Sequence, residues 1–378
     1  MIPRRATLLV CICLVSDCAW GNRLAAEDLV TLRGTQVEQI WAPAGGALVR
    51  FRFVDDEINP LNFEVTPDLE QPRTGEPPLR GHFVCLDRWG APSAAEATRG
   101  VPFHGEAPRI VWKTDRPPSR EAGKVSAQMS CVLPLAGLRV RRTIDLDEQG
   151  SVALVSEQVT NTGSLSRIYN IVQHPSIAAP FLNDGTLVDS NAAAGFVQDG
   201  PLPGGDSPRE LWPRVKIGDE RADLRRFREE TGSGARHDVS SFVFGDQETY
   251  GWVTACSPQH RLLVGYAWRV ANYPWLNIWR YSQEGKPAAR GLEFGTTGYH
   301  QPFPILVRQG RILNRPLFEP LDADETATKS YLCFLARIPA DFAGVASVRL
   351  DQKSIVIRER DKDDPRTVEI SNNLSLTP

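Results

Sequence analysis

The sequence lacks the cysteine and histidine clusters from which protein metal sites are built. It contains no Cys-x-x-Cys and no His-x-His, and its histidines and cysteines are scattered along 378 residues. Zinc sites take three or four such side chains, often at close spacing. The sequence therefore predicts neither a metal site nor a cofactor.

Long apolar runs are also missing, apart from one at the N-terminus. Residues 1–21 contain two arginines, then an apolar run from Ala6 to Val15, then small residues at Ala19 and Gly21. The run is too short to span a bilayer, and the pattern is typical of a cleavable signal peptide. We therefore predict an exported protein, periplasmic or extracellular, whose mature chain has no membrane span.

Charge of one sign is not in large excess. The chain has 43 lysines and arginines against 46 aspartates and glutamates, a formal net charge of -3. Nucleic-acid binding is usually accompanied by a basic patch or a basic excess. Nucleic acid is therefore not a predicted partner.

Disulfide bonds are not required by the cysteine pattern. Without residues 1–21, the cysteines are Cys85, Cys131, Cys256 and Cys333, which allow three pairings. Each lies in an apolar, strand-like segment such as HFVCL or YLCFL. Thiols that pack as small apolar side chains are the favoured interpretation, with disulfides as the alternative.

Helical periodicity is rare, whereas short alternating or β-branched segments recur throughout the chain. Examples are ALVRFRFV, LRVRRTIDL, RLLVGYAWRV and SYLCFLARI. Strands at this spacing predict an all-β fold, either a sandwich or a barrel. Similar strands flank both Gly/Pro-rich segments, QPRTGEPPLRG and QDGPLPGGDSPREL, so we predict one domain over residues 22–378 with long loops. The best helical candidate is the charged segment RADLRRFREETG.

Two histidines and one glutamate have distinctive surroundings. His104 precedes a glycine in GVPFHGEAPR, and His174 precedes a proline in IVQHPSIAAPF, after the VTNTG turn. Glu293 lies between Leu292 and Phe294 in RGLEFGTT, where burial of a carboxylate would require a partner. Strand alternation could instead place Glu293 in solvent, and a lone histidine is most often structural. The three motifs together favour a shared site.

This order of motifs resembles the aldose 1-epimerase (galactose mutarotase) superfamily, over roughly Gly45 to Ile338. The resemblance implies a large antiparallel β-sandwich of the galactose mutarotase-like type and a carbohydrate as partner. It also implies that His104, His174 and Glu293 surround a pyranose. The segment QHPSIAAPF departs from the Asn-His pair that is usual there, so the resemblance leaves the sugar open.

Interconversion of sugar anomers needs a base for the C1 hydroxyl proton and an acid for the ring oxygen. With ordinary pKa values of about 4.3 for glutamate and about 6.5 for histidine, the carboxylate is the natural base and the imidazolium the natural acid. We therefore predict that Glu293 is the base and His174 the acid. His104 is predicted to position the ring oxygen or a hydroxyl.

A sugar site also needs an apolar surface for the pyranose C–H groups and planar donors for the hydroxyls. The segment NYPWLNIWRY precedes Glu293, and its tryptophans share parity on an extended strand. The predicted substrate-binding residues are Arg80, Asp87, Arg88, Trp89, Trp275 and Trp279. Inter-sheet packing and surface ion pairing are the structural alternatives for these residues.

Two other functions fit the same residues. A non-catalytic carbohydrate-binding protein would use the pocket without turnover. A glycoside hydrolase or lyase would ordinarily need a second carboxylate across the scissile bond, for which Asp87 is the candidate. The sequence predicts no particular oligomeric state.

Overall fold

Antiparallel strands make up most of the fold in a computed structural model of the chain, which describes residues 28–66, 69, 73, 75–204, 209–227, 235–360 and 363–376. These strands form two large sheets, a two-stranded ribbon and a three-stranded sheet. The prediction of an all-β antiparallel sandwich is confirmed. The predicted signal peptide, residues 1–21, lies outside the described residues.

The first half of the described chain contains eleven strands, interrupted by one short helix. The strands are β1 (Val30–Arg33), β2 (Val37–Ala42), β3 (Ala47–Phe53), β4 (His82–Asp87), β5 (Lys113–Glu121), β6 (Lys124–Leu133), β7 (Leu138–Asp147), β8 (Val152–Asn161), β9 (Arg167–Ala178), β10 (Leu187–Ser190) and β11 (Ala192–Val197). Helix α1 (Ala94–Thr98) begins with a capping box formed by Ser93 and Glu96.

The remaining strands follow in the second half. They are β12 (Glu210–Leu211), β13 (Arg214–Ile217), β14 (Glu220–Asp223), β15 (Ala235–Phe244), β16 (Tyr250–Ser257), β17 (Leu262–Arg269), β18 (Trp275–Gln283), β19 (Lys286–Gly295), β20 (Arg311–Ile312), β21 (Arg315–Pro316), β22 (Glu319–Leu321), β23 (Thr326–Arg337), β24 (Val345–Leu350), β25 (Ser354–Glu359) and β26 (Thr367–Ser371). Helix α2 (Phe303–Gln309) follows β19. Among the described residues, no helix has the length and apolarity needed to cross a membrane.

The predicted helix over RADLRRFREETG is wrong where the segment is described. Its first residues belong to β14, which pairs with β13. Ala222 and Leu224 are buried, whereas Arg221 and Asp223 are exposed. This alternation has the period of a strand, and the charged side chains concealed it in the sequence.

The main core lies between the two large sheets. The larger sheet runs in the order β1-β2-β3-β4-β9-β19-β18-β15-β11-β12-β13-β14, with β22 also paired to β9. The smaller sheet runs in the order β10-β16-β17-β23-β8-β7-β6-β5. Ile171 and Phe294 of the larger sheet share one apolar cluster with Val155 and Leu335 of the smaller sheet. Residues of opposite parity on the larger sheet therefore point away from this core.

The three-stranded sheet β24-β25-β26 packs on the other side of the smaller sheet. Ile355 and Ile370 from this sheet belong to the same apolar cluster as Leu263 and Phe334. The smaller sheet is therefore covered on both faces. The outer face of the larger sheet, which points away from the main core, lies beneath long loops.

The four cysteines are all buried, as the favoured interpretation of the sequence predicted. Cys131, Cys256 and Cys333 are free thiols. Burial raises the pKa of the Cys256 and Cys333 thiols to about 12, so these groups remain protonated at neutral pH.

Candidate active site

The register of the larger sheet brings His174 and Glu293 side by side. On β9 and β19, Gln173 is the partner of Phe294 and Ser176 is the partner of Gly291. This antiparallel register makes His174 and Glu293 direct cross-strand neighbours on the outer face. Residues that are distant in sequence therefore meet because two adjacent strands pair in one register.

The side chains of His174 and Glu293 are in contact, and the second polar atom of each lies within hydrogen-bond distance of another residue. His174 Nε2 lies 3.2 Å from Glu293 Oε1. The other carboxyl oxygen, Oε2, accepts a 2.7 Å hydrogen bond from Trp89 Nε1. His174 Nδ1 lies 2.9 Å from the hydroxyl of Ser176. The orientation of both reactive groups is thus fixed by neighbours.

Burial changes the proton affinity of both groups, in opposite directions. It raises the pKa of Glu293 well above its ordinary value, although the Trp89 hydrogen bond opposes this effect. It lowers the pKa of His174 to about 3. Both shifts disfavour charge, so burial favours a carboxylic acid beside a neutral imidazole over a carboxylate beside an imidazolium.

His104 is held on the same site by a strained turn. Its φ is 63°, and at the following Gly105 any Cβ would overlap the carbonyl oxygen of Leu86. Its Nδ1 accepts a 3.1 Å hydrogen bond from the Gly90 N–H, so the ring proton lies on Nε2. Burial lowers the pKa of His104, and within the described chain no group accepts from its Nε2–H. A neutral hydrogen-bond donor is therefore available to a ligand.

A third histidine, His300, extends the site and was not singled out from the sequence. Ring centroids are 5.4 Å apart between His174 and His104, and 5.8 Å apart between His104 and His300. His300 also packs edge-on against Trp89 at 4.6 Å. Burial lowers its pKa to about 4. The available signal was its position in LEFGTTGYHQPF, shortly after Glu293.

These groups line a cavity of about 370 Å³ on the outer face of the larger sheet. Its aromatic walls are formed by Phe63, Phe83, Trp89, Phe103 and Trp279. Val65, Leu69, Leu79 and Val239 add aliphatic surface, and the exposed residues Asp199 and His237 lie among the polar lining. A cavity of this size, with a few polar groups among apolar walls, is typical of a small-molecule site.

The tryptophans predicted to bind substrate lie in different places. Trp89 and Trp279 line the cavity, whereas Trp275 does not. Trp275 shares a face with Trp279, but four residues along a strand separate them by about 13 Å. It is fully buried in a separate cluster, and its Nε1 donates to the carbonyl oxygen of Pro316 at 2.9 Å. Strand parity therefore places Trp275 on the predicted face, but its surroundings bury it away from the cavity.

The three charged residues predicted to bind substrate lie outside this cavity. Asp87 and Arg88 form a buried pair with two hydrogen bonds of 3.2 and 3.1 Å. Arg88 also lies 2.8 Å from a Glu96 oxygen, which ties β4 to α1. Arg80 lines a neighbouring cavity with Arg52 and contacts the carbonyl oxygen of Ala44 at 3.5 Å. Asp87 and Arg88 are therefore engaged with each other and with α1, beside the cavity rather than in its lining.

No group of three or more potential ligand side chains within the described ranges is arranged to hold a metal ion.

Comparison with known proteins identifies the fold. No protein-family model matches the sequence, and no curated protein matches it either. Among solved structures, a galactose mutarotase-like protein from Clostridium acetobutylicum superposes with a TM-score of 0.58 at 14% identity, covering 84% of this chain and 97% of that one.

Two further structures agree. A galactose mutarotase related enzyme from Lactobacillus acidophilus gives a TM-score of 0.55 at 11% identity, over 82% of this chain and 98% of that one. A protein from Klebsiella pneumoniae, provisionally designated an aldose 1-epimerase, gives 0.56 at 15% identity, over 80% of this chain and 78% of that one. The chain therefore has the galactose mutarotase-like fold.

Proposed function

We propose that this protein acts on carbohydrates and interconverts the anomers of a reducing sugar by acid–base catalysis. The observation that carries the proposal is the 3.2 Å contact between His174 Nε2 and Glu293 Oε1 at a cavity lined by aromatic side chains. The fold shared with galactose mutarotase-like proteins supports it by analogy.

The reaction needs a proton donor and a proton acceptor, and a protonated Glu293 beside a neutral His174 supplies both. In the ring-opening step, the Glu293 carboxylic acid gives its proton to the ring oxygen while His174 Nε2 takes the proton of the C1 hydroxyl. The bond between C1 and the ring oxygen breaks, and the C1 carbonyl forms. After rotation about C1–C2, the same transfers run in reverse and close the ring on the other face.

This assignment begins from the opposite protonation state to that expected from ordinary pKa values. Ordinary pKa values would place the proton on His174, because an exposed imidazole is more basic than an exposed carboxylate. Burial raises the pKa of Glu293 and lowers that of His174, which favours a protonated Glu293 beside a neutral His174. The residues proposed for acid–base catalysis are unchanged, and only their starting roles are exchanged.

The neighbouring groups have supporting roles in this proposal. The His104 Nε2–H donates to the ring oxygen or to a hydroxyl, and Trp279 offers an indole face to the pyranose C–H groups. Trp89 positions the Glu293 carboxyl group. His300 supplies a further ring nitrogen for a hydroxyl.

The alternatives predict different observations. A glycoside hydrolase needs a second carboxylate, and Asp87 is paired with Arg88 outside the cavity. The remaining acid among the described lining residues is Asp199, which is exposed. A binding protein would hold sugar without exchange. The test is to measure anomer exchange, sugar binding and oligosaccharide cleavage in parallel; exchange without cleavage is expected, and binding alone would replace the catalytic proposal.

Export remains part of the proposal, on the strength of the arginines, the short apolar run and the small residues within 1–21. N-terminal sequencing of protein from its native host tests it. A mature chain that begins near Asn22 is expected, and an intact Met1 on protein retained in the cytoplasm would contradict it.

A further inference from the structure

Ser176 touches the reactive pair but takes no proton in the proposed reaction. It lies two residues beyond His174 on β9, so both side chains point to the same face of the larger sheet. Ser176 is fully buried, and its Oγ lies 2.9 Å from His174 Nδ1. A short hydroxyl side chain therefore meets the imidazole on the side away from Glu293.

The His174 ring is held in one orientation. The Phe83 ring stacks on it, with centroids 4.3 Å apart and an angle of 18° between the ring planes. Trp279 contacts it edge-on at 5.8 Å. Turning the imidazole over would place carbon atoms beside Glu293 and Ser176 and would lose both polar contacts. The chemistry of His174 then depends on which of its two nitrogens carries the ring proton.

The hydrogen bonds of Glu293 decide between the two nitrogens. The indole N–H of Trp89 is a donor, so Glu293 Oε2 is its acceptor. Burial raises the pKa of Glu293 and favours its protonated form, in which the proton lies on Oε1, the oxygen that faces His174 Nε2. Nε2 accepts from this group, and a neutral imidazole has one donor and one acceptor. The ring proton of His174 is therefore on Nδ1.

Ser176 completes this chain of hydrogen bonds. A hydroxyl group can accept and donate at the same time. The Ser176 oxygen accepts from His174 Nδ1–H, and its own proton is directed to the main-chain carbonyl oxygen of His174, at 3.4 Å. The opposite tautomer would set two donors, Nε2–H and Oε1–H, against each other. Ser176 thus supplies the acceptor that the favoured tautomer needs.

We infer that Ser176 is a positioning residue, which holds the proton of neutral His174 on Nδ1 and so presents the Nε2 lone pair to the C1 hydroxyl. This rests on the proposed function, since anomer exchange is the reaction that uses this lone pair. When Nε2 takes the proton of the C1 hydroxyl, His174 becomes an imidazolium with two N–H groups. Ser176 Oγ still accepts from Nδ1–H in that state, so one contact serves His174 before and after the transfer.

Nitrogen-15 NMR of the imidazole rings tests the inference in the absence of sugar. At neutral pH the wild type is expected to show His174 with a protonated Nδ1 and an unprotonated Nε2. His104 is the internal reference, because its Nδ1 accepts from the Gly90 N–H and its proton lies on Nε2. The spectra of His174→Asn and His104→Asn identify the two sets of signals. A His174 proton on Nε2 would overturn the inference.

Ser176→Ala removes the acceptor and leaves a small side chain in the same place. The share of His174 that carries its proton on Nδ1 should fall. A buried N–H without an acceptor is costly, so kcat for anomer exchange should drop about 10- to 100-fold, with little change in KM. Ser240→Ala is the matched control, because Ser240 is also fully buried in the larger sheet and its Oγ has no hydrogen-bond partner among the described residues. It should keep the wild-type tautomer and rate.

Ser176→Thr keeps the hydroxyl and should retain the Nδ1 proton and most of the exchange. Equal losses in Ser176→Thr and Ser176→Ala would assign the effect to packing and overturn the inference, as would wild-type exchange in Ser176→Ala. If Ser176→Ala does not fold, the wild-type spectrum decides the inference. A wild type that carries the proton on Nδ1 but exchanges none of a panel of aldoses would overturn the proposed function and leave the placement of the proton standing.

Discussion

His174 and Glu293 are cross-strand neighbours on β9 and β19, and their side chains meet at 3.2 Å on the outer face of the larger sheet. Both strands lie in the interior of the sheet order, between β4 and β18. A reactive pair built on paired strands is held more firmly than one built on loops.

The pH dependence of anomer exchange is expected to follow the protonation states of His174 and Glu293. If the proposed mechanism holds, protonation of His174 should end activity at low pH, and ionisation of Glu293 should end it at high pH. Burial lowers the pKa of His174 from 6.5 to about 3 and raises that of Glu293 well above 4.5. The acid limb of the pH–rate profile should therefore lie at lower pH, and the alkaline limb at higher pH, than ordinary side chains would give. The rate, corrected for spontaneous mutarotation, is therefore expected to be flat around neutral pH. A half-maximal rate near pH 6.5 would show that an ordinary histidine controls the reaction. His237→Asn is the control, because it removes the exposed histidine of the cavity lining and should leave the pH profile unchanged.

Trp89→Phe removes the indole N–H that donates to Glu293 Oε2 at 2.7 Å. This hydrogen bond stabilises the carboxylate, so its loss raises the pKa of Glu293 further. A hydrogen bond to the charged form favours ionisation, so without it the alkaline limb of the pH profile should move to higher pH. Trp112→Phe is the matched control, since its Nε1 donates to the Ala107 carbonyl oxygen. An unchanged alkaline limb in Trp89→Phe would contradict the positioning role.

Trp275 and Trp279 are expected to respond differently to truncation. Trp275→Ala removes a fully buried side chain and should lower the free energy of unfolding by about 3–5 kcal/mol. Trp279→Ala removes a half-buried cavity wall and should weaken sugar binding with a smaller loss of stability. Denaturant unfolding and fluorescence titration measure the two effects. Equal stability losses with unchanged binding would assign both residues to packing.

Gly291 leaves room for the Glu293 carboxyl group. A Cβ at this position would lie 2.7 Å from Glu293 Oε1, so Gly291→Ala should push the carboxyl group away from His174. A displacement of about 1 Å can cost about 10²-fold in rate, and a loss of roughly 10- to 100-fold is expected. Gly245→Ala is the control, because its nearest neighbour lies at 3.7 Å. Wild-type exchange in Gly291→Ala would show that the carboxyl position is not critical.

The fold could be predicted from the sequence because alternation is a local signal. Segments such as LRVRRTIDL record in their own residues which face is buried. The segment around Ala222 was misassigned because its apolar positions are few and its charges suggested a solvated helix. Strand order and register depend on distant residues and could not be read in this way.

The candidate site was partly accessible from the sequence. His104, His174 and Glu293 stand in distinctive motifs, and the structure brings all three to one cavity. Arg88 and Trp275 have equally suitable chemistry, but contacts made by Asp87 and Pro316 direct them elsewhere. Such contacts depend on loop paths, which residue type does not specify.

Other lining residues lie on loops and gave weak signals. Leu79 belongs to one of the two Gly/Pro-rich segments and Asp199 to the other; both segments were predicted as long loops, and Arg80 was the one residue in them predicted to bind substrate. Their side chains enter the cavity only because the loops fold back over the larger sheet. The sequence alone gives no reason to group Leu79 and Asp199 with Glu293.

The most direct measurement compares anomer exchange by the wild type with that of Glu293→Gln, using the sugar that the wild type converts fastest. The amide keeps the shape of the side chain but cannot pass a proton between the ring oxygen and His174. General acid–base groups contribute about 10²–10⁴-fold, so exchange should fall by that factor while fluorescence titration shows that sugar binding persists. Asp199→Asn, which changes the exposed lining acid, should retain wild-type exchange. Exchange by Glu293→Gln at the wild-type rate would contradict the account.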